Sequence, residues 1–339
     1  VKRLLIWLPR VCAAISLQAM ISAHAGVYLL PPLAGDSLIG EEQIVLAREE
    51  DTLIDIARRH NLGFDDIVNA NPAVDTWLPR EGTPVLLPLR HLLPATPREG
   101  IVINVAEKRL YYYPGTYSPA IKVANTKKGG KATPPARVAA TAVEVHPVSI
   151  GRSDWNTPIV STRVVRKATD PVWYPPEALR AEHAADGDYL PEVVTPGPDN
   201  PLGQYALYLG TPSYLIHGTN KAFGIGMQVT HGCIRMYPED IQHLYEAVAV
   251  GTPVHIVNQP YKVGWSNGVL YVEVHPWLEG SPAEQVSNKS LLTTMITTAI
   301  NPYPDYPIDW QTVELLGIEA RGVPVAVGPT LTPITPVSP

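Results

Sequence analysis

Leu215-Ile216-His217-Gly218-Thr219-Asn220, followed by Thr230-His231-Gly232-Cys233-Ile234-Arg235-Met236, carries the densest chemistry in this chain. Cys233 is one of only two cysteines in 339 residues, and it stands two residues after His231 and sixteen after His217. A thiolate nucleophile needs a base or imidazolium nearby to lower its pKa from about 8.5. It also needs backbone N–H groups aimed at a developing oxyanion, and a glycine such as Gly232 lets the backbone approach that point. Arg235 adds positive charge suited to a thiolate or to a substrate carboxylate. The residue types and the glycine placement fit acyl transfer. Two other readings of the same residues stay open. Cys233 can be a buried, inert small hydrophobe, or His217, His231 and Cys233 can hold zinc, although no fourth ligand or Cys-x-x-Cys partner is apparent.

Around this stretch the chain reads as mainly β. Short β-branched or aromatic runs at 101–105, 109–113, 162–166, 205–209 and 214–217 are bounded by glycine or proline. Asn267-Gly268 between 263–265 and 269–274 signals a hairpin. Helices are expected only at 176–183, 238–250 and 283–300. The 36 prolines and 17% charged residues disfavour long helical bundles, while 45% apolar residues suffice for a packed core. A net charge of −6 argues against nucleic acid as a partner. No clean apolar run of about 18 residues is present, so no membrane span is expected. No cofactor motif is evident.

The flanks divide further. Residues 1–25 hold Lys2, Arg3 and Arg10, then an apolar run, then Ala23-His24-Ala25. That is the order of an export signal peptide cut after Ala25, which leaves Cys233 as the single cysteine of an exported protein. Residues 42–92 read as strand, helix, helix, strand. Thr52 and Asp55 form a helix-opening capping box, Leu53, Ile56 and Ala57 give an apolar face, and Asn71-Pro72 ends a second helix over 65–70. The Pro-rich link at 93–97 sets this unit apart as a domain that folds and acts by itself. The segment 125–142, rich in Lys, Gly, Ala and Pro, reads as an inserted surface loop. Residues 259–320 form a hairpin and helix extension, and 321–339, with five prolines, a disordered tail.

Two resemblances sharpen this reading. Asp51-Thr52-Leu53 and Asn69-Ala70-Asn71-Pro72, in that strand and helix order, resemble a LysM module, which implies binding to N-acetylglucosamine-containing glycans. His217 and Thr230-His231-Gly232-Cys233-Ile234-Arg235 resemble the signature of the L,D-transpeptidase (YkuD-like) catalytic domain, and the likeness spans most of 98–258. It implies a β-sandwich-like domain acting on bacterial peptidoglycan. Cys233 is then acylated by a stem tetrapeptide with release of D-alanine, and His217 is the general base and acid. Gly218 orients His217 through its carbonyl, and Thr230, His231 and Gly232 build the oxyanion turn. Arg235, Asn220 and Tyr214 are the expected substrate-binding residues. The acceptor is a second stem's amine, the lysine of an envelope lipoprotein, or water, and the location is the periplasm or cell wall. A papain-like wall endopeptidase would place its Cys before its His, whereas His217 comes first here, although His243, His255 and His275 follow. A non-catalytic glycan-binding protein is the other alternative.

Overall fold

A computed structural model describes residues 26–33, 35–118, 136–137, 139–282 and 290–331. The expected leader over 1–25 lies outside them, as does most of the expected insertion. Strand β1 (Gly26–Leu29) opens the described chain. The N-terminal unit follows, with β2 (Leu38–Ile39), β3 (Gln43–Leu46), α1 (Leu53–Arg59), α2 (Phe64–Ala70), β4 (Pro84–Leu87) and β5 (His91–Leu92). The central part holds β6 (Gly100–Asn104), β7 (Arg109–Tyr113), β8 (Tyr117–Ser118), β9 (Ala136–Arg137), β10 (Ala142–Pro147), β11 (Ile150–Gly151) and β12 (Val160–Thr169). It continues through α3 (Glu177–Ala185), β13 (Tyr205–Leu209), β14 (Leu215–His217), β15 (Gln228–Thr230), β16 (Ile234–Arg235), α4 (Pro238–Ala247) and β17 (Pro253–Val257). Last come β18 (Tyr261–Ser266), β19 (Val269–Val274), α5 (Ser290–Ala299), α6 (Trp310–Glu319) and β20 (Val325–Ala326). Among the described residues no helix is long and apolar enough to cross a membrane.

A nine-stranded sheet in the order β1-β10-β7-β6-β17-β12-β13-β14-β16 organises the molecule. Strands β6 and β7 are uninterrupted β-branched and aromatic runs, buried on both faces. Their register puts Ile101 opposite Tyr112 and Ile103 opposite Leu110, all four facing the main core with Val254, Ile256 and Leu207. The intervening Val102, Tyr111 and Tyr113 face a second core with Val143, Val145 and Leu93. The ten-residue β12 pairs first with β17 and then with β13, and its register slips between Val164 and Arg166. That irregularity bends the sheet, so its two halves and α4 enclose one core. The mainly β, sandwich-like expectation holds. Ala142, expected to close the insertion, instead opens β10, where Val143 and Val145 are buried.

The flanking units differ from expectation in attachment and extent. The strand–helix–helix–strand order over 43–87 is present, with the Thr52–Asp55 capping box formed in both directions (3.1 and 2.9 Å). Its core is Leu53, Ile56, Ile67, Val85 and Leu87. The prolines of the link do not isolate it, because Leu92 and Leu93 are buried and α2 docks directly on the central part. At the other end, the Asn267-Gly268 turn takes left-handed φ values of 48° and 76° and closes the β18–β19 hairpin. Residues 321–331 are not a disordered tail. β20 pairs with β19, Val323 and Val327 are buried, and the Val327 N–H donates to Leu270 O (2.9 Å). Pro324 and Pro329 flank this strand and leave its donors free to pair. Helix α6 was also not expected. It buries only Val313 and Leu316 and is capped by Asp309, which accepts from Thr312 N–H (3.1 Å).

Candidate active site

Strands β14 and β16 run parallel, with Ile216 opposite Ile234 and His217 opposite Arg235. Ile216 and Ile234 drop fully into the core. Side chains alternate along a strand, so Leu215, His217, Cys233 and Arg235 share the opposite face. His217 is buried there, while Cys233 and Arg235 keep some solvent contact. Cys233 immediately precedes β16, beside the strand that carries His217.

The chain reaches Cys233 through a turn that only glycine can make. Gly232 has φ of 96°, and a Cβ there would sit 2.9 Å from the Tyr214 ring. The turn is gripped from two sides. Thr230 Oγ1 donates to the Cys233 carbonyl (2.6 Å), and Thr157 Oγ1 donates to the Gly232 carbonyl (2.9 Å). Among the described residues the N–H groups of His231, Gly232 and Cys233 donate no hydrogen bond. The thiol points at the carbonyl of Ser213 (3.6 Å), itself a non-glycine residue held at φ of 69°.

Burial sets the protonation of the pair. It pushes the Cys233 thiol up, and the Leu215 N–H and Arg235 pull back only in part. Burial, then the charge of Arg235, lowers His217 to about 3, although the backbones of Gly218 and Leu202 oppose this. His217 Nδ1 has no hydrogen-bond partner among the described residues. At neutral pH the site therefore holds a thiol and a neutral imidazole.

A family model described as the L,D-transpeptidase catalytic domain (YkuD) matches residues 98–256. "Probable L,D-transpeptidase YbiS" of Escherichia coli K12 is 39% identical over 318 residues, 92% of this chain and 96% of that protein. The chain belongs to the L,D-transpeptidase family. "Probable L,D-transpeptidase ErfK/SrfK" of Salmonella typhimurium is 41% identical over 269 residues, 78% of this chain and 79% of that protein. The crystal structure of L,D-transpeptidase 3 from Mycobacterium tuberculosis superposes with a TM-score of 0.31 at 17% identity, over 66% of this chain and 92% of that one.

In this L,D-transpeptidase the other expected site residues fall into four groups. Gly218, Thr230, Gly232 and Tyr214 contact the strands or the turn that present Cys233. His231 lies half-buried against the Trp155 ring (5.3 Å between centroids), with Glu182 3.9 Å away, and Arg152 ties Glu182 (2.5 Å) to Asp154 (2.6 Å). Among the described residues Arg235 forms no ion pair, and its Nε is buried without a partner. Asn220 is exposed and donates to Pro198 O (3.2 Å), with no hydrogen bond to Cys233 among the described residues. The later histidines are engaged elsewhere: His243 with Glu144, His255 with Ser161, and His275 with Glu273. The zinc reading has no geometric support, because the ligand atoms of His217, His231 and Cys233 do not converge. Glu107, Glu273 and His275 do converge within 4.8 Å, but Lys262 and Arg109 already pair with both carboxylates. Thr157, Gly151 and Ser213 went unrecognised in the sequence. Each is a common loop residue, and only the folded chain brings it to the turn.

Proposed function

We propose that this protein is an exported cysteine L,D-transpeptidase of peptidoglycan, with Cys233 as nucleophile. The observation that carries the reading is Cys233 on one sheet face with the neutral, buried His217, beside a turn with three N–H groups unused among the described residues. His217 takes the thiol proton as sulfur attacks the carbonyl that joins the third stem residue to D-alanine. The backbone N–H groups around Gly232 and Cys233 hold the oxyanion. The C–N bond breaks, the imidazolium returns its proton to the departing D-alanine amine, and a thioester remains on Cys233. An amine acceptor then displaces the sulfur. Burial keeps His217 in the neutral form that can accept a proton, although the same burial weakens it as a base until substrate binds. Arg235, lacking an acidic partner, is suited to a carboxylate of the stem peptide. Asn220 and Tyr214 serve the same substrate from the rim, and Gly218, Thr230 and His231 support the two reacting groups.

The leader over 1–25 directs the chain to the periplasm, and the LysM-like unit over 42–92 contacts glycan strands. The acceptor is another stem's diamino acid, giving a 3–3 crosslink, or a lipoprotein lysine. The test is intact mass after incubation with a disaccharide-tetrapeptide. An acyl adduct mapped to Cys233, absent in Cys233→Ala and strongly reduced in His217→Ala, is expected. Turnover by a folded Cys233→Ala variant would remove the proposal.

A further inference from the structure

Both peptide groups that flank Cys233 are held by threonine hydroxyls. Thr230 lies three residues before the nucleophile, whereas Thr157 comes from the loop between β11 and β12. Thr157 is buried, and its hydroxyl accepts from the Gly151 N–H (2.9 Å) while donating to Gly232 O (2.9 Å). A hydroxyl has one proton, so that proton is committed to the Gly232 carbonyl. A trans peptide is planar, with its C=O and N–H pointing opposite ways. Holding the carbonyl of Gly232 therefore aims the N–H of Cys233. This matters because Gly232, at φ of 96°, has no side chain to resist rotation of that peptide. The close approach of the two loops depends on Gly151 as well. A Cβ there would sit 2.0 Å from Trp155 O and 2.9 Å from the Gly232 Cα.

We propose that Thr157 is a positioning residue for acyl transfer, its hydroxyl setting the Gly232–Cys233 peptide so that the Cys233 N–H meets the oxyanion of the tetrahedral intermediate. The inference rests on Cys233 being the nucleophile. Addition to a carbonyl develops an oxyanion, whereas displacement of iodide from iodoacetamide by the same sulfur does not. The two reactions therefore separate a mis-aimed N–H from a disturbed thiol.

The experiment compares Thr157→Val, Thr157→Ala and Thr157→Ser, each as the full chain, in acylation by a soluble disaccharide-tetrapeptide and in alkylation by iodoacetamide. Valine matches the shape without the hydroxyl, alanine leaves room for a water at the Gly151 N–H, and serine keeps both hydrogen bonds. Valine and alanine should lower kcat by about tenfold or more, short of the 10²–10³ seen on deleting an oxyanion donor outright. KM should move by less than about twofold, and alkylation should stay at the wild-type rate. Serine should recover most of the activity. If valine does not fold, alanine carries the same comparison. Wild-type acylation by either hydroxyl-free variant overturns the proposal, and so does an equal loss of acylation and alkylation that serine fails to rescue. Wild-type protein that forms no adduct on Cys233 defeats the nucleophile assignment instead, so the two failures are distinguishable.

Discussion

The two units that flank the catalytic sheet are fastened to it by different means. The N-terminal unit docks through backbone as well as charge, since Asp66 pairs with the buried Arg109 (2.9 Å) and Asp65 with Lys108 (3.0 Å). The N–H groups of Phe64 and Asp65, at the start of α2, donate to Ile225 O (2.9 Å) and Gly226 O (3.4 Å), and Tyr237 donates to Leu62 O (3.1 Å). Gly63 and Gly226 meet with no side chain between them. The C-terminal unit docks through charge. Lys262 lies 2.7 Å from Glu107 and 2.9 Å from Glu273, Arg109 joins both carboxylates and Asp66, and His275 pairs with Glu273 (2.7 Å). Backbone docking transmits shape, and Ile225 and Gly226 belong to the segment between His217 and the Cys233 turn. Charge docking holds position, and it grips the β6–β7 turn instead. The N-terminal unit is therefore bonded to the segment that leads from His217 to the Cys233 turn.

The largest effect should come from breaking the charged junction. Lys262→Met leaves Glu107 and Glu273, both wholly buried, with one cation fewer, and should cost about 3–5 kcal/mol in urea unfolding. The same cluster predicts acid lability. Burial raises the Glu273 carboxyl, but Lys262, His275 and Arg109 overcome this and hold it well below the usual range. A carboxyl depressed on folding stabilises above its unfolded pKa of about 4.3, and that stabilisation fades as pH falls below it. Lys262→Met should weaken this acid dependence. A variant as stable as wild type, with the same acid limb, would mean the charges do not hold the junction.

The N-terminal junction should fail in the opposite direction. His146 is buried between Asp240 (3.2 Å) and Glu144 (3.8 Å), and Asp240 also accepts from Asn61 of the N-terminal unit (3.3 Å). Burial disfavours the imidazolium, but the two carboxylates win and raise His146 to about 9. A raised histidine stabilises fully below its unfolded pKa of about 6.5 and loses that contribution as pH climbs toward 9. The loss should be of order 3 kcal/mol at most, read from unfolding curves across that window, and His146→Gln should flatten it. A stability that is level from neutral to pH 9 would contradict the assignment.

Much of this was legible in the sequence where the signal is local. The paired strands 101–105 and 109–113, the Asn267-Gly268 hairpin, the Thr52 cap and the His217/Cys233 pair all announce themselves within a few residues. The junctions did not. Prolines at 93–97 suggest a tether, yet the decisive contacts come from Phe64 and Gly226, far apart in the chain and chemically plain. Residues 321–331 have the composition of a tail, but three valines at alternate positions suffice for an edge strand once β19 offers a partner. Thr157 was invisible for the same reason.

Gly226→Ala tests the backbone junction directly. Gly226 has φ of 89°, and a Cβ would sit 2.3 Å from Gly63 Cα and 2.4 Å from Phe64 N. The strain and the forced separation should cost about 1–3 kcal/mol. Turnover on soluble tetrapeptide should fall as well, because the segment after His217 loses its support. If the unit were a freely tethered glycan binder, deleting it would weaken binding to insoluble peptidoglycan with unchanged chemistry, and Gly226→Ala would change neither. Full activity of the folded variant on the soluble substrate would restore that view.

The smallest effect should come from the most exposed charged contact at this same N-terminal junction. Arg58 pairs with Glu239 and lies over the Tyr237 ring, 4.1 Å from its centroid, but both partners of the ion pair are about 40% exposed. Water screens such a pair, so its share is typically below about 1 kcal/mol, and an exposed cation–π contact adds a similar amount at most. Arg58→Ala should therefore destabilise by roughly 1 kcal/mol and leave turnover within about twofold. Half-molar salt should remove the ion-pair share in the wild type and little in the variant, because the ring contact and the backbone bonds of α2 do not depend on screening in the same way. The contrast with Gly226→Ala is the informative part. If Arg58→Ala costs as much stability and activity as the glycine substitution, the exposed Arg58–Glu239 pair holds the N-terminal junction as firmly as the Gly63–Gly226 contact does.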